Sequence, residues 1–155
     1  MTTLLRPWDL SDTEDLRRAF ADSHDLGRQV GGADLSTVEK CQEFISRELG
    51  VNTPSTCNFA INVDGAAVGN VGLGRIEHGH DSSWVHYWVS ATARGQGLAS
   101  RAVATRAGFA AEGIERQKLR YGTVRFDVER HGRLRSDPEP TVDFVRIVHV
   151  ERNLV

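Results

Sequence analysis

The chain has 155 residues, 39% of them apolar and 26% charged, with a formal net charge of −2. That length suits one domain, residues 1–155, with a core large enough to stand without staples. The balance excludes a disordered chain, a collagen-like repeat, a disulfide scaffold and an overall basic field for nucleic acid.

Thr3 to Arg6 reads as a short strand stopped by Pro7. Ser11-Asp12-Thr13-Glu14 has the form of a capping box, and Leu16, Ala19 and Phe20 follow at helical spacing. Gly27 to Asp34, which contains Gly31-Gly32, reads as a loop. Ser36-Thr37-Val38-Glu39 is a second capping box. Behind it Val38, Cys41, Ile45 and Leu49 form an apolar stripe that Gly50 closes.

The period then changes to two. Phe59, Ile61 and Val63 alternate with Ala60 and Asn62, and Asp64-Gly65 signals a hairpin. Ala67 to Ile76 resumes as a strand. Its Gly69, Gly72 and Gly74 imply a bulge or a close backbone approach. Glu77 to Ser82 is a polar turn, and Trp84 to Ser90 is a third strand, giving an antiparallel meander. Arg94 to Gly97 is a tight loop before an alanine-rich helix, Leu98 to Ala107, with Gly108 at its C-terminal stop. Ile114–Tyr121 and Val124–Leu134 read as charged, alternating strands around Gly122. Val142–Val150 reads as a last strand beyond Asp137-Pro138-Glu139-Pro140.

No run reaches the ~18 apolar residues of a membrane span. The first seven residues, Met1 to Pro7, lack a secretory apolar region. Cys41 and Cys57 have no metal spacing, so two free buried thiols and a cytoplasmic location are the expectation. His78-x-His80-Asp81 reads as a polar turn, and no metal is assigned. Arg116, Lys118, Arg120, Arg125, Arg130, Arg133 and Arg135 are interspersed with acids, which argues against nucleic acid.

The chemistry concentrates between Trp84 and Ala99. A strand ends, an arginine and two glycines follow, and a helix begins. Helix N-termini present unpaired amides and partial positive charge, and glycines admit a phosphate to that backbone. A P-loop would need a lysine that is absent here. A Rossmann fingerprint would need Gly or Ala at the third place, where Ser100 stands, and a βαβ series rather than a meander. Arg/Gln-x-x-Gly-x-Gly/Ala is satisfied in full by Arg94, Gly97 and Ala99.

On these residues the sequence resembles the GNAT-superfamily N-acetyltransferases, in particular the group resembling ribosomal-protein-alanine acetyltransferases. The order of strand, two helices, three-strand meander, loop and helix matches. The stretch Ser100 to Phe109 resembles the family's later Asn-x-x-Ser-x-x-Val-x-x-x-x-Gly-Phe helix without its Asn. The resemblance implies an α/β (α+β) fold: a mixed, mostly antiparallel sheet flanked by helices, here abbreviated. The two motifs fall in one helix, which implies an internal deletion of roughly 25–30 residues, about one helix, one strand and their loops. Ile114–Tyr121 is the candidate replacement for the lost strand. An exposed edge of that kind recruits another strand. A homodimer is therefore expected, with Val142–Val150 pairing across or near its interface.

The resemblance also implies acetyl-CoA as cosubstrate, bound by Val89, Ser90, Arg94, Gly95, Gln96, Gly97, Leu98 and Ala99. The acceptor is a primary amine, a protein N-terminus or a small molecule, attacked directly without a covalent enzyme intermediate. Such a transfer needs a base, an oxyanion donor and a proton for the thiolate. His86 shares strand parity with Trp84 and Trp88 and titrates near neutrality, which makes it the first candidate base. The competing assignment for His86 is a packed histidine in an aromatic cluster. Glu77 is the second candidate base, a backbone N–H near Val89 the oxyanion donor, and Tyr121 and Ser100 the hydroxyls for the thiolate. The alternative function is a catalytically degenerate CoA-binding or protein-interaction domain.

Overall fold

The computed structural model describes residues 2–96, 98, 109–138 and 146–147. The chain divides into two compact units. One comprises Met1–Ala99 with Val145–Val155, the other Ser100–Phe144.

The first unit is a five-stranded sheet with helices. Its strands are β1 (Thr3–Arg6), β2 (Cys57–Val63), β3 (Ala66–Glu77), β4 (Ser82–Val89) and β7 (Arg146–Ile147), in the order β4-β3-β2-β1-β7. All pairs are antiparallel except β1 with β7. The helices are α1 (Thr13–Asp22), α2 (Leu26–Gln29) and α3 (Val38–Phe44), which runs on into a π-helical turn at Ile45–Leu49. This is the α/β arrangement expected from the sequence.

Local chemistry moves some boundaries. The first helical segment is capped by Asp9, not Ser11. Asp9 Oδ1 accepts from the Ser11 amide, and Asp12 Oδ2 accepts from the Asp9 amide at 2.9 Å. Asp12 is committed elsewhere as well, gripping Arg6 through two contacts of 2.6 and 2.7 Å. In the second box Thr37, not Ser36, is the cap and accepts from the Lys40 amide. The expected loop from Gly27 begins inside α2, and the left-handed φ of Gly31 and Gly32 (73° and 87°) then turns the chain. The Asp64-Gly65 hairpin is as expected, with both residues at positive φ (48° and 99°).

Apolar residues of the helices and sheet meet in one core. Leu16, Leu26, Leu35, Cys41 and Ile45 are fully buried there, and Trp8 stacks at a tilt on Trp88, ring centroids 5.9 Å apart. Of the expected α3 stripe, Cys41, Ile45 and Leu49 are buried, while Val38 is exposed at the first turn. Cys57 is half-buried rather than buried; both thiols are free.

Among the described residues β4 forms the outer edge of this sheet. Ile114–Tyr121 does not extend it. That segment belongs to β5 (Ala110–Tyr121), which pairs with β6 (Val124–Gly132) as a separate hairpin in the second unit, turned at Gly122. Its basic residues are interleaved with acids, for example Lys118 with Glu115 at 3.1 Å and Arg130 with Glu115 at 3.4 Å. The described part of the last strand, Arg146–Ile147, lies parallel on Leu4–Leu5. The deletion and the helix expected at Leu98–Ala107 fall largely outside the described residues.

Candidate active site

A cavity of about 680 Å³ lies in the first unit. One side is the sheet face carrying Asn58 on β2, Asn70 on β3, and His86 and Trp88 on β4. The other sides come from Gln29, the last residue of α2, and the following Val30–Ala33, and from Phe44 at the end of α3 with Glu48 and Leu49 of the π-helical turn. Strand register explains the shared face. Asn58, Gly72 and His86 lie opposite one another in a single row across three strands, and Ala60, Asn70 and Trp88 form the next row.

His86 is the sequence candidate that this cavity receives. Its Nε2 lies 2.9 Å from Asn58 Oδ1. Backbones two strands apart are separated by about 9–10 Å, beyond ordinary side-chain contact across an occupied middle position. The middle position here is Gly72. A Cβ on it would press on Asn58 Oδ1 and stand 2.6 Å from His86 Nε2. The bare glycine is what lets the two side chains meet.

The same amide is held from behind. Asn58 Nδ2 donates to the Glu48 carbonyl at 3.2 Å, and the Asn58 amide donates to Asn52 Oδ1 at 3.1 Å. Glu48 lies in the last turn of the helix, where carbonyls lack intrahelical partners. Asn70 Nδ2 donates to Asn58 Oδ1 at 3.1 Å, and the Trp8 indole N–H donates to Asn70 Oδ1 at 2.9 Å. His86 is exposed at its outer face, and the partial burial of its ring lowers its pKa below the ordinary value. Trp84, on the same parity, is exposed and lies under the Arg75 guanidinium at 5.9 Å.

The other candidates divide. Glu77 sits exposed at the far end of β3, in register with Ser82, and is not among the residues lining the cavity. Val89 ends β4, Ser90 follows it, and both are buried. The Ser90 amide donates to Val68 O at 2.8 Å, and the Ala91 amide to Ser23 Oγ at 2.8 Å. The first of these bonds sets the phase of the ladder, so the Val89 N–H points away from β3, toward the edge that β4 forms among the described residues. Arg94, Gly95 and Gln96 follow a single 3₁₀ turn, Ala91–Ala93, and are exposed, with Gly95 at φ +78°. Arg94 is not idle: Nε donates to Val89 O at 2.9 Å, and its far nitrogen pairs with Asp25 at 2.7 Å. That pair is exposed on both sides, so it is worth about 1 kcal/mol at most and leaves Arg94 open to a stronger anion. Leu98 is buried. Gly97, Ala99 and Ser100 lie outside the described residues, as does the side chain of Tyr121, which ends β5.

Sequence reasoning missed Trp8, Asn58 and Asn70, and read Gly72 as a bulge or close backbone approach without the side chains it admits. The alternation of β2 drew attention to Phe59 and Ile61, while the face turned to the helices carries Asn58 and Ala60. The available signal was an asparagine on each of two neighbouring strands, with a glycine two residues beyond the second.

A family model described as an acetyltransferase (GNAT) domain matches residues 3–146. The chain therefore belongs to the GNAT acetyltransferase family, a family of N-acetyltransferase enzymes. Its fold is similar to RimL, a ribosomal L7/L12 α-N-protein acetyltransferase solved with coenzyme A. That match has TM-score 0.70 and 18% identity over 86% of this chain and 94% of that one. It is also similar to the microcin C7 self-immunity acetyltransferase MccE, solved with acetyl-CoA and AMP, at TM-score 0.68 and 17% identity over 84% and 91% of the chains. RimJ of Mycobacterium smegmatis, solved with a CoA disulfide, matches at TM-score 0.61 and 22% identity over 81% and 78%. Comparison with curated protein sequences gives no match. Among the described residues no group of side chains could hold a metal ion, and no helix is long and apolar enough to cross a membrane.

Proposed function

We propose that the protein transfers an acetyl group from acetyl-CoA to a primary amine held in the 680 Å³ cavity, by direct attack. The observation that carries this reading is His86. Its imidazole lines the cavity three residues before the strand end that leads into the Arg94–Gly95–Gln96 loop. The Val89 N–H at the edge that β4 forms among the described residues and the exposed glycine loop suit an acyl-CoA thioester and its pyrophosphate. The solved neighbours that hold acetyl-CoA or CoA support the same cosubstrate.

Acetyl-CoA, when bound, supplies an activated carbonyl carbon: the amine nitrogen bonds to it, the C–S bond breaks, and the sulfur leaves as a thiolate that takes up a proton. His86 accepts the proton that the ammonium must lose before attack. The Val89 N–H donates to the oxygen on which charge develops. Glu48 is the charged side chain among the described lining residues, and its carboxylate favours a cationic amine over a phosphorylated acceptor.

RimL is described as acting on ribosomal L7/L12, and a Salmonella typhimurium neighbour as modifying its N-terminal serine. A peptide N-terminus is therefore the first acceptor to test, with small primary amines beside it. Mass spectrometry of the purified protein reports bound CoA species, and thiol release across the amine panel reports turnover. Release with at least one amine is the expected result. CoA bound with no turnover on any amine would make the protein a degenerate CoA-binding domain.

A further inference from the structure

The hydrogen bonds around His86 determine which of its nitrogens carries the proton. The chain of bonds has two ends whose roles are fixed by chemistry. At one end the Trp8 indole N–H can only donate. The Asn70 atom facing it at 2.9 Å is therefore the amide oxygen, and the Asn70 NH₂ faces Asn58 at 3.1 Å. At the other end the Glu48 carbonyl can only accept, so the Asn58 atom facing it at 3.2 Å is the NH₂. Both ends independently leave the Asn58 oxygen pointing at His86. An oxygen acceptor 2.9 Å from Nε2 requires that Nε2 bear the hydrogen. In the neutral ring the lone pair then sits on Nδ1.

Nδ1 is unencumbered. It makes no hydrogen bond among the described residues, and the neighbouring position on β3 is Gly74, where even an added Cβ would stay 3.8 Å away. Gly72 and Gly74 together clear the sheet face on that side of the ring.

We infer that Asn58, held by Asn70, Trp8 and the Glu48 carbonyl, fixes His86 as the Nε2–H tautomer, so that Nδ1 is the atom that takes the amine's proton. Asn58 is a positioning residue. The proton moves from the amine nitrogen to Nδ1, the resulting imidazolium keeps its Nε2–H on Asn58 Oδ1, and no other bond changes in that step. The inference rests on the reading of His86 as the base.

Long-range ¹H–¹⁵N correlation on the intact protein labelled with ¹⁵N-histidine tests it directly. The His86 signal is identified by its loss in His86→Gln. The expected spectrum at neutral pH shows Nε2 protonated and Nδ1 bare. A protonated Nδ1, or an average of both forms, overturns the tautomer assignment while leaving the proposed acetyl transfer standing. In Asn58→Ala the signal should average between tautomers. Its kcat should fall by about tenfold or more, a part of what a general base contributes, with KM for acetyl-CoA unchanged. Wild-type kcat in a folded Asn58→Ala overturns the positioning role. Full turnover by His86→Gln overturns the base role beneath it. The wild-type spectrum decides the tautomer even if Asn58→Ala does not fold.

Discussion

His86 Nε2 and Asn58 Oδ1 lie 2.9 Å apart although β4 and β2, the strands that carry them, are not neighbours. The strand between them contributes Gly72 at that row and therefore no side chain. The catalytic candidate is thus oriented by an absence as much as by a partner.

Gly72→Ala should break this relationship. The new Cβ would stand 2.6 Å from His86 Nε2 and 2.7 Å from the Cys57 carbonyl, and backbone cannot give way cheaply. We expect a loss of about 1–3 kcal/mol, typical of overpacking, together with a fall in kcat. Gly79→Ala is the control, because nothing lies within 4 Å of its Cβ. Thermal melts and thiol-release kinetics on both variants check the pair. Equal Tm values would refute the packing argument.

The His86 pKa sets a pH window. Burial lowers it from 6.5. The unfolded chain then binds the proton at higher pH than the folded one. The stability linked to His86 is therefore complete above 6.5 and is lost as pH falls through the folded value. The same titration removes the base, so kcat/KM should fall on the acid side below 6.5, and His86→Gln should abolish that limb. A wild-type profile with its acid limb above 6.5 would contradict the direction of the shift.

Arg94 and Asp25 should have opposite effects on acetyl-CoA. Arg94→Ala removes the positive charge at the glycine loop and should weaken binding by about tenfold. Asp25→Asn removes the competing carboxylate, which Arg94 holds at 2.7 Å and whose pKa it lowers. The exposed pair limits the gain to about fivefold tighter. Calorimetry on both variants, with Gly97→Val as a block to backbone approach, checks the loop. Weaker binding by Asp25→Asn would mean that the pair builds the site rather than competing with it.

Asp12 is a stability prediction apart from the chemistry. Its buried carboxylate holds Arg6 at 2.6 and 2.7 Å and accepts from the Asp9 amide at 2.9 Å. Asp12→Ala strands the guanidinium and an amide at once. A loss of about 3–4 kcal/mol is expected in chemical denaturation, with KM for acetyl-CoA unchanged. A change below 1 kcal/mol, the scale of an exposed pair, would show that water takes over both partners.

The local elements and the loop motif were written in the sequence, because they depend on residues close together in the chain. The strand Thr3–Arg6 ends where Pro7 stops it, and the Asp64-Gly65 turn forms because those residues tolerate positive φ. The Arg94 loop follows β4 as expected, since strand, turn and glycine spacing are local properties. The face of β2 that meets the helices was not legible, because Ile61 and Ala60 are both buried and alternation alone does not choose between them. Nor was the cap at Asp9, where Asp12 serves both Arg6 and the Asp9 amide. The row Asn58–Gly72–His86 depends on the register of three strands, and its polarity on Trp8 and Glu48 arriving at opposite ends. Only tertiary structure decides such a row, because a side chain's partner across a sheet is set by pairing and not by distance along the chain.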